Sequence, residues 1–309
     1  AGVALDGTLD ARVRAGRLEV ELALAGLGDT PLTARSGVPV SFTLDPPEFA
    51  LGSTAPVAGR IAGPLDLARV ARWMALDGTE LTGMLQAALD VSGSLARPLV
   101  DGTVVLERGS LENLASGLVL SELSLRMRAS GDRLAIEQLA ARDPLGGTVA
   151  GSGALRPLAG GGVSYDVRLD ANRLRALDNP LGTVVVSGTL GASGDLARAL
   201  ARGSLTVDRA DFQIPDAVGP NIPVLEVTEV RDGRVVEGPG AVAPPFDLGF
   251  DVTLDIPGRL FVRGRGLDSE WGGRLLLKGD LADPVIEGGI EVRRGIFDVL
   301  DRRFTIERG

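Results

Sequence analysis

The stretch FDLGFDVTLDI, residues 246–256, decides the fold class. Phe246, Leu248, Phe250, Val252, Leu254 and Ile256 share one parity, and Asp247, Gly249, Asp251, Thr253 and Asp255 share the other. A helix turns every 3.6 residues and would scatter the six apolar side chains around its circumference. A strand lines them up on one face. At about 3.4 Å per residue the run spans roughly 35 Å, which is long for a globular sheet.

The same period recurs along the chain. Leu18, Val20, Leu22 and Leu24 alternate with Glu19 and Glu21, and Val38, Val40, Phe42 and Leu44 follow. Leu123, Leu125 and Met127 form another run, as do Val163, Tyr165, Val167 and Leu169, with Asp166, Arg168 and Asp170 between them. Hairpin punctuation separates the runs: AGRLE (15–19), SGDRL (130–134) and RDGRV (231–235). Their glycines supply the positive φ that short turns require. Prolines 98, 144, 157, 257 and 284 stand at run edges, where no ladder bond is lost. One segment departs from the period. In PLDLARVARWMAL (64–76), Leu67, Val70, Trp73 and Met74 fall at helical spacing behind a capping Asp66, which predicts one short helix that plugs or caps the sheet. GDLARALAR (194–202) is a weaker helix candidate.

The chain also repeats itself. VSGSLARPLVDGTVVLERGSL (91–111) lies on LKGDLADPVIEGGIEVRRGIF (277–297) without a gap. Gly93, Leu95, Ala96, Pro98, Gly102, Arg108 and Gly109 fall on Gly279, Leu281, Ala282, Pro284, Gly288, Arg294 and Gly295. A looser copy at 187–212 places Gly188, Leu190, Gly203, Leu205, Val207 and Arg209 in matching order, with six extra residues between Gly188 and Gly203, and GALRPLAGGGV (153–163) matches the first half. Each copy reads as strand, turn, strand.

Composition narrows the functional classes. The length of 309 residues admits about two domains, but a repetitive chain can be one long module. Hydrophobic residues at 44 % allow burial, and aromatics at 4 % leave that burial to aliphatic side chains. The net charge of −9 opposes nucleic-acid binding, which needs a basic face. With no histidine and no cysteine, Cys/His zinc sites, thiol nucleophiles and the Ser-His-Asp triad are all excluded. Lys278 is the only lysine, which we read as genomic bias. No apolar run reaches the length of a membrane-spanning helix. No leader is visible at Ala1, and the abrupt ends of the chain suggest a piece of a longer protein.

Candidate chemistry reduces to structure. GSGALRPLAGGG (151–162) lacks the Lys-Ser/Thr and the helix of a phosphate loop. RGRGL (263–267) reads as a solvated turn, and Asp247, Asp251 and Asp255 as a solvated strand face. The recurring Arg108, Arg209 and Arg294 fit a rim position that blocks edge aggregation, with an anion contact as the other reading. No catalytic residue, cofactor or metal site is expected, and we expect no enzyme. The aliphatic stripes remain. They serve either as a dry core or as the lining of an open groove, and both readings stand at this point.

Two segments carry a family resemblance. DFQIPDAVGPNIPVLEV (211–227) and the run from Asp255 to Gly309 resemble the C-terminal region of the TamB family, members of the AsmA-like bridge superfamily. The specific positions are Pro257, Gly258, Phe261, Val262, Arg263, Gly264, Gly266, Leu267, Ser269, Glu270, Trp271 and Gly273, followed by Arg294, Gly295, Phe297 and Leu300. The resemblance is loose back to Gly78, and VLDRRF (299–304) departs from a family glycine. It implies a periplasmic protein anchored in the inner membrane, partnered with the outer-membrane barrel protein TamA. It further implies roles in outer-membrane protein and autotransporter assembly and in phospholipid transport.

The resulting expectation is all-β: one elongated, curled, solenoid-like sheet (a β-taco) over 1–309 with one apolar concave face. Residues 1–77 form a weaker-matching part that holds the helix near 64–76, and 78–309 the TamB-like part. The expected groove lining is Phe246, Leu248, Phe250, Val252, Leu254, Val163, Val167, Leu169, Leu123 and Leu125. Phospholipid or outer-membrane protein strands are the expected cargo. The alternatives are a chaperone-like module that binds strands by β-augmentation, or a closed structural solenoid or adhesin.

Overall fold

The computed structural model describes residues 6–44, 47–51, 55–73, 78–94, 96–158, 162–195, 197–215, 229–231, 234–236, 247–280, 283–299 and 302–307. Period-two patterning is realised almost everywhere. The first strands are β1 (Asp6–Arg14), β2 (Arg17–Ala25), β3 (Leu32–Leu44), β4 (Pro47–Leu51) and β5 (Ala58–Asp66). After α1 (Leu67–Trp73) come β6 (Thr79–Gly93), β7 (Pro98–Asn113), β8 (Leu118–Ser130), β9 (Arg133–Arg142) and β10 (Thr148–Pro157). Then follow β11 (Val163–Asn179), β12 (Gly182–Gly194) and β13 (Arg198–Gln213), and a small hairpin of β14 (Glu229–Arg231) and β15 (Arg234–Val236). The chain ends with β16 (Asp247–Gly264), β17 (Leu267–Asp280), β18 (Pro284–Val299) and β19 (Arg302–Ile306).

The ladder is a long meander. Each strand from β1 to β13 pairs antiparallel with the next, except that β3 pairs with β5 along one half of its edge and with β4 along the other. β16 to β19 continue antiparallel. The exception to the antiparallel pattern is β13, which pairs parallel with β16. A parallel neighbour needs a return connection, made by residues 214–246. Among the described residues β1 and β19 have no second partner, so the sheet is open and curled, not a closed barrel.

The internal repeat is a repeated turn and a repeated bend. Gly93 pairs with Pro98, Gly279 with Pro284, and Gly194 with Ala199. In each loop the residue after the glycine accepts an amide three residues on: Arg97 to Ser94 Oγ at 3.2 Å, Arg198 to Asp195 Oδ1 at 2.9 Å, Asp283 to Asp280 Oδ1 at 2.8 Å. The middle copy therefore aligns through Gly194 without a gap, not through Gly188. GDLARALAR is a hairpin turn leading into β13, not a helix. Arg108, Arg209 and Arg294 each stand fifteen residues past the turn glycine. At or next to each, the register slips. A β-bulge bends its strand and adds twist, so bulges repeated at one height curl the sheet.

The helix begins later than its pattern, and Met74 to Leu76 of that pattern lie outside the described residues. Pro64 to Asp66 complete β5, and α1 begins at Leu67. Asp66 caps it, its Oδ1 accepting the Ala68 amide at 2.9 Å. Arg69 ties the helix to the β2–β3 connection through the Gly26 carbonyl at 3.0 Å. Pro257 also differs from expectation: it sits inside β16 at the bulge between Ile256 and Leu260.

Candidate functional site

Cross-strand partners lie on the same face of a sheet, so the registers trace rows across the whole molecule. One row runs Leu65, Leu85, Leu106, Leu125, Leu139, Gly151, Leu169, Leu190, Gly203, Val252, Leu277, Ile286. It crosses from β5 to β18 and contains nothing but aliphatic residues and glycine. The opposite face is charged and paired. Asp10, Glu21, Arg35, Arg60, Asp90 and Asp101 form one of its rows. There Arg35 bonds Glu21 at 2.7 Å, and Lys278 bonds Glu287 at 3.0 Å further along.

Leu248, Phe250, Val252, Leu254, Val163, Val167, Leu169 and Leu125 share the aliphatic face, and each is half-buried. Leu123 stands at a bulge opposite Gly109, two residues from Leu125. Phe246 lies outside the described residues. Sequence reasoning missed Leu85, Leu106, Leu139 and Leu190. Bulges beside Leu106 and Leu139 break strict alternation there, and Leu85 and Leu190 stand in runs diluted by alanine and glycine, so the register is what joins all four in one row.

The face is not uniform. Val104, Met127 and Ile136 form a buried cluster packed by Leu85, Ala87, Leu89, Leu125, Leu134, Leu139, Leu155 and Val167. Those side chains come from six successive strands, β6 to β11, so the curl there is tight enough for the face to fill itself. A second cluster of Val207, Ala210 and Ile256 is packed by Val184, Phe212, Leu254, Leu260 and Leu275. Toward the C-terminal edge, Ile286 is 66 % exposed and Ile290 44 %.

Two buried polar residues organise the ends of strands. Asp143 accepts the amides of Leu145 at 2.8 Å, Gly147 at 2.9 Å and Arg175 at 2.8 Å. Burial alone pushes its carboxyl up. The amides of Arg175, Gly147 and Leu145, with the Arg175 charge, outweigh that and hold it below the usual carboxylate range. The Asp-Pro pair at 143–144 was the available signal for this turn. Ser269 Oγ donates to the Val262 carbonyl at 3.2 Å and accepts from Trp271 Nε1 at 2.9 Å. The motif residues Ser269 and Trp271 thus hold β17 against β16. On the charged face Arg209 and Arg263 share Asp211 and both lie over the Phe261 ring. Arg294 bonds Glu270 at 2.6 Å, which holds the Glu270 carboxyl below its ordinary value.

Among the described residues no group of acidic side chains is placed to hold a metal ion, and no helix is long and apolar enough to cross a membrane. Neither curated proteins nor solved structures gave a match to the chain. The family model of the TamB C-terminal domain matches residues 137–309, from within β9 to the end. That is more than half of the chain and includes the second and third copies of the repeat. TamB proteins are non-enzymatic periplasmic bridges of the outer-membrane assembly module, anchored in the inner membrane and partnered with TamA. The uninterrupted aliphatic row, the open curled sheet and the matched span agree: this chain belongs to the TamB family.

Proposed function

We propose that the chain forms part of a periplasmic conduit whose aliphatic face carries phospholipid acyl chains between the inner and outer membranes. The row from Leu65 to Ile286 carries this reading. An acyl chain needs apolar surface without polar interruption, and gains about 25 cal/mol for each Å² it covers. Nothing along the row offers a hydrogen bond that would fix a bound chain in place, so no polar contact opposes sliding, and passage along the row requires the filled stretch from β6 to β11 to open. The charged opposite face keeps the module in water. The domain division at residue 77 is part of the same proposal: residues 1–77 contribute α1 and the first edge, and 78–309 the conduit wall.

The test is lipid occupancy. The purified chain is expected to carry phospholipid detectable by mass spectrometry, and a photocrosslinker at Leu254 or Ile286 is expected to capture it. Phe250→Asp with Leu169→Asp should remove it. Equal retention by a folded double variant, or no crosslinked lipid at either position, rejects the conduit.

A second reading has its own observation. Among the described residues β19 covers β18 only from Gly295 to Val299, which leaves the edge from Pro284 to Arg294 without a strand partner. That edge suits a chaperone-like module that takes up an outer-membrane protein strand by β-augmentation. Pro at Glu287 or Glu291 would block strand binding and leave lipid occupancy unchanged. A closed solenoid has no support in a sheet whose first and last strands, among the described residues, are each paired on one edge.

A further inference from the structure

The β9–β10 hairpin is recessed. Its ladder with β8 ends at Arg142 opposite Ser121, and its ladder with β11 ends at Thr148 opposite Asn172. The neighbouring hairpins run on: β7–β8 to Asn113 opposite Leu118, and β11–β12 to Asn179 opposite Gly182. They overhang the recessed tip from both sides. In a flat sheet β8 and β11 lie three spacings apart, about 14 Å. Beyond the tip their ends meet. The Asp178 amide donates to the Ser116 carbonyl at 2.7 Å, and Asn179 Nδ2 donates to the Ala115 carbonyl at 3.3 Å.

Both sides are built for the contact. Asn113 Oδ1 accepts from the Ser116 amide and from its hydroxyl, each at 2.9 Å, which sets the turn. Asp143 holds the Arg175 amide, the Arg175 guanidinium bonds the Asp178 carboxylate, and Thr183 Oγ1 donates to Asp178 Oδ1 at 3.1 Å. Among the described residues no other backbone hydrogen bond joins parts of the sheet three strands apart. Just inside this rim, next to the ladder end at Arg142, lies Ala141, 4 % exposed.

We propose that residues 113–117 and 175–179 form a strap that draws β8 and β11 together and closes access to the filled stretch of the apolar face. The strap crosses the sheet by two hydrogen bonds, few enough to open without the whole ladder unfolding. Its release lets the overhanging ends part and uncovers Ala141. That the strap constricts a lipid path rests on the conduit reading; the strap itself does not.

The experiment compares two glycines. Gly117 and Gly131 have nearly the same backbone, φ +70° and +66°, so an added Cβ strains both alike. A Cβ at Gly117 runs into the Asp178 carbonyl, whereas at Gly131 it meets nothing within 4 Å. The chain has no cysteine, so Ala141→Cys gives a single thiol probe. Gly117→Ala is expected to raise thiol labelling at position 141 about tenfold, and Gly131→Ala to leave it unchanged. Equal labelling in the two variants overturns the strap. Should Gly117→Ala not fold, Asn179→Asp, which removes the donor to the Ala115 carbonyl and keeps the oxygen that accepts the Leu181 amide, is expected to raise labelling about threefold, and unchanged labelling overturns the proposal. Phospholipid content is measured on the same samples. Faster labelling with unaltered lipid content leaves the strap standing and removes its role as a constriction.

Discussion

The stretch from β6 to β11 and the stretch from β16 to β19 carry the same alternating pattern, and their apolar faces end up in different surroundings. Leu106 and Met127 are 3 % and 7 % exposed, whereas Ile286, joined to Leu106 by the same row, is 66 % exposed. Side-chain chemistry does not separate them. Neighbours do: β7 and β8 are paired on both edges and curled until β6 to β11 share one cluster, while, among the described residues, β18 from Pro284 to Arg294 has a partner on one edge. Alternation thus specifies which side chains point inward, and the number and curvature of adjacent strands decide whether inward means dry.

The sharpest way to break this comparison is to truncate equivalent positions. Leu106→Ala is expected to cost about 3 kcal/mol, since it empties a buried position beside Gly83 and Gly109. Ile286→Ala is expected to cost less than about 0.5 kcal/mol, as for an exposed site. Urea denaturation of both variants checks the difference, and equal costs would show that the two stretches are packed alike.

Asp143 gives the next largest effect. Asp143→Ala leaves the Arg175, Gly147 and Leu145 amides without their acceptor, at an expected cost of about 2 kcal/mol. The pH dependence follows from the direction of the shift. The folded carboxyl titrates below its unfolded value of about 3.9. Its stabilisation is therefore complete above that value and fades as pH falls through the lower, folded one. Asp143→Asn should flatten this acid limb, measured as unfolding midpoints between about pH 2 and 5. An unchanged acid limb would place the sensitivity elsewhere.

The smallest effect belongs to the charged face. Lys278→Ala breaks an exposed pair with Glu287, and pairs of this kind are worth about 0–1 kcal/mol. Its cost should shrink further at high salt. A large, salt-independent loss would mean that the charged face of the C-terminal stretch is covered in the working protein.

Much of the fold was legible. Period two identified the strands, the AGRLE and SGDRL stretches identified the turns at 15–16 and 131–132, and Asp66 identified the helix cap. The RDGRV turn spans residues 232–233, outside the described residues. The shared aliphatic face was legible in part. Leu125, Leu169 and Val252 were read as lining and fall on one row, while Leu106 and Leu139 were not, because bulges beside them shift the parity.

By itself the sequence determined the strands, their two faces, the hairpin turns and the repeated unit. Each of these follows from residues a few positions apart, where alternation and turn chemistry act. The tertiary structure alone decided the parallel joint between β13 and β16, the filling of the β6–β11 stretch, and the contact of Ser116 with Asp178 over a recessed hairpin. These depend on where bulges place distant strands in space. Curvature accumulates over many strands, so no short window of residues contains it.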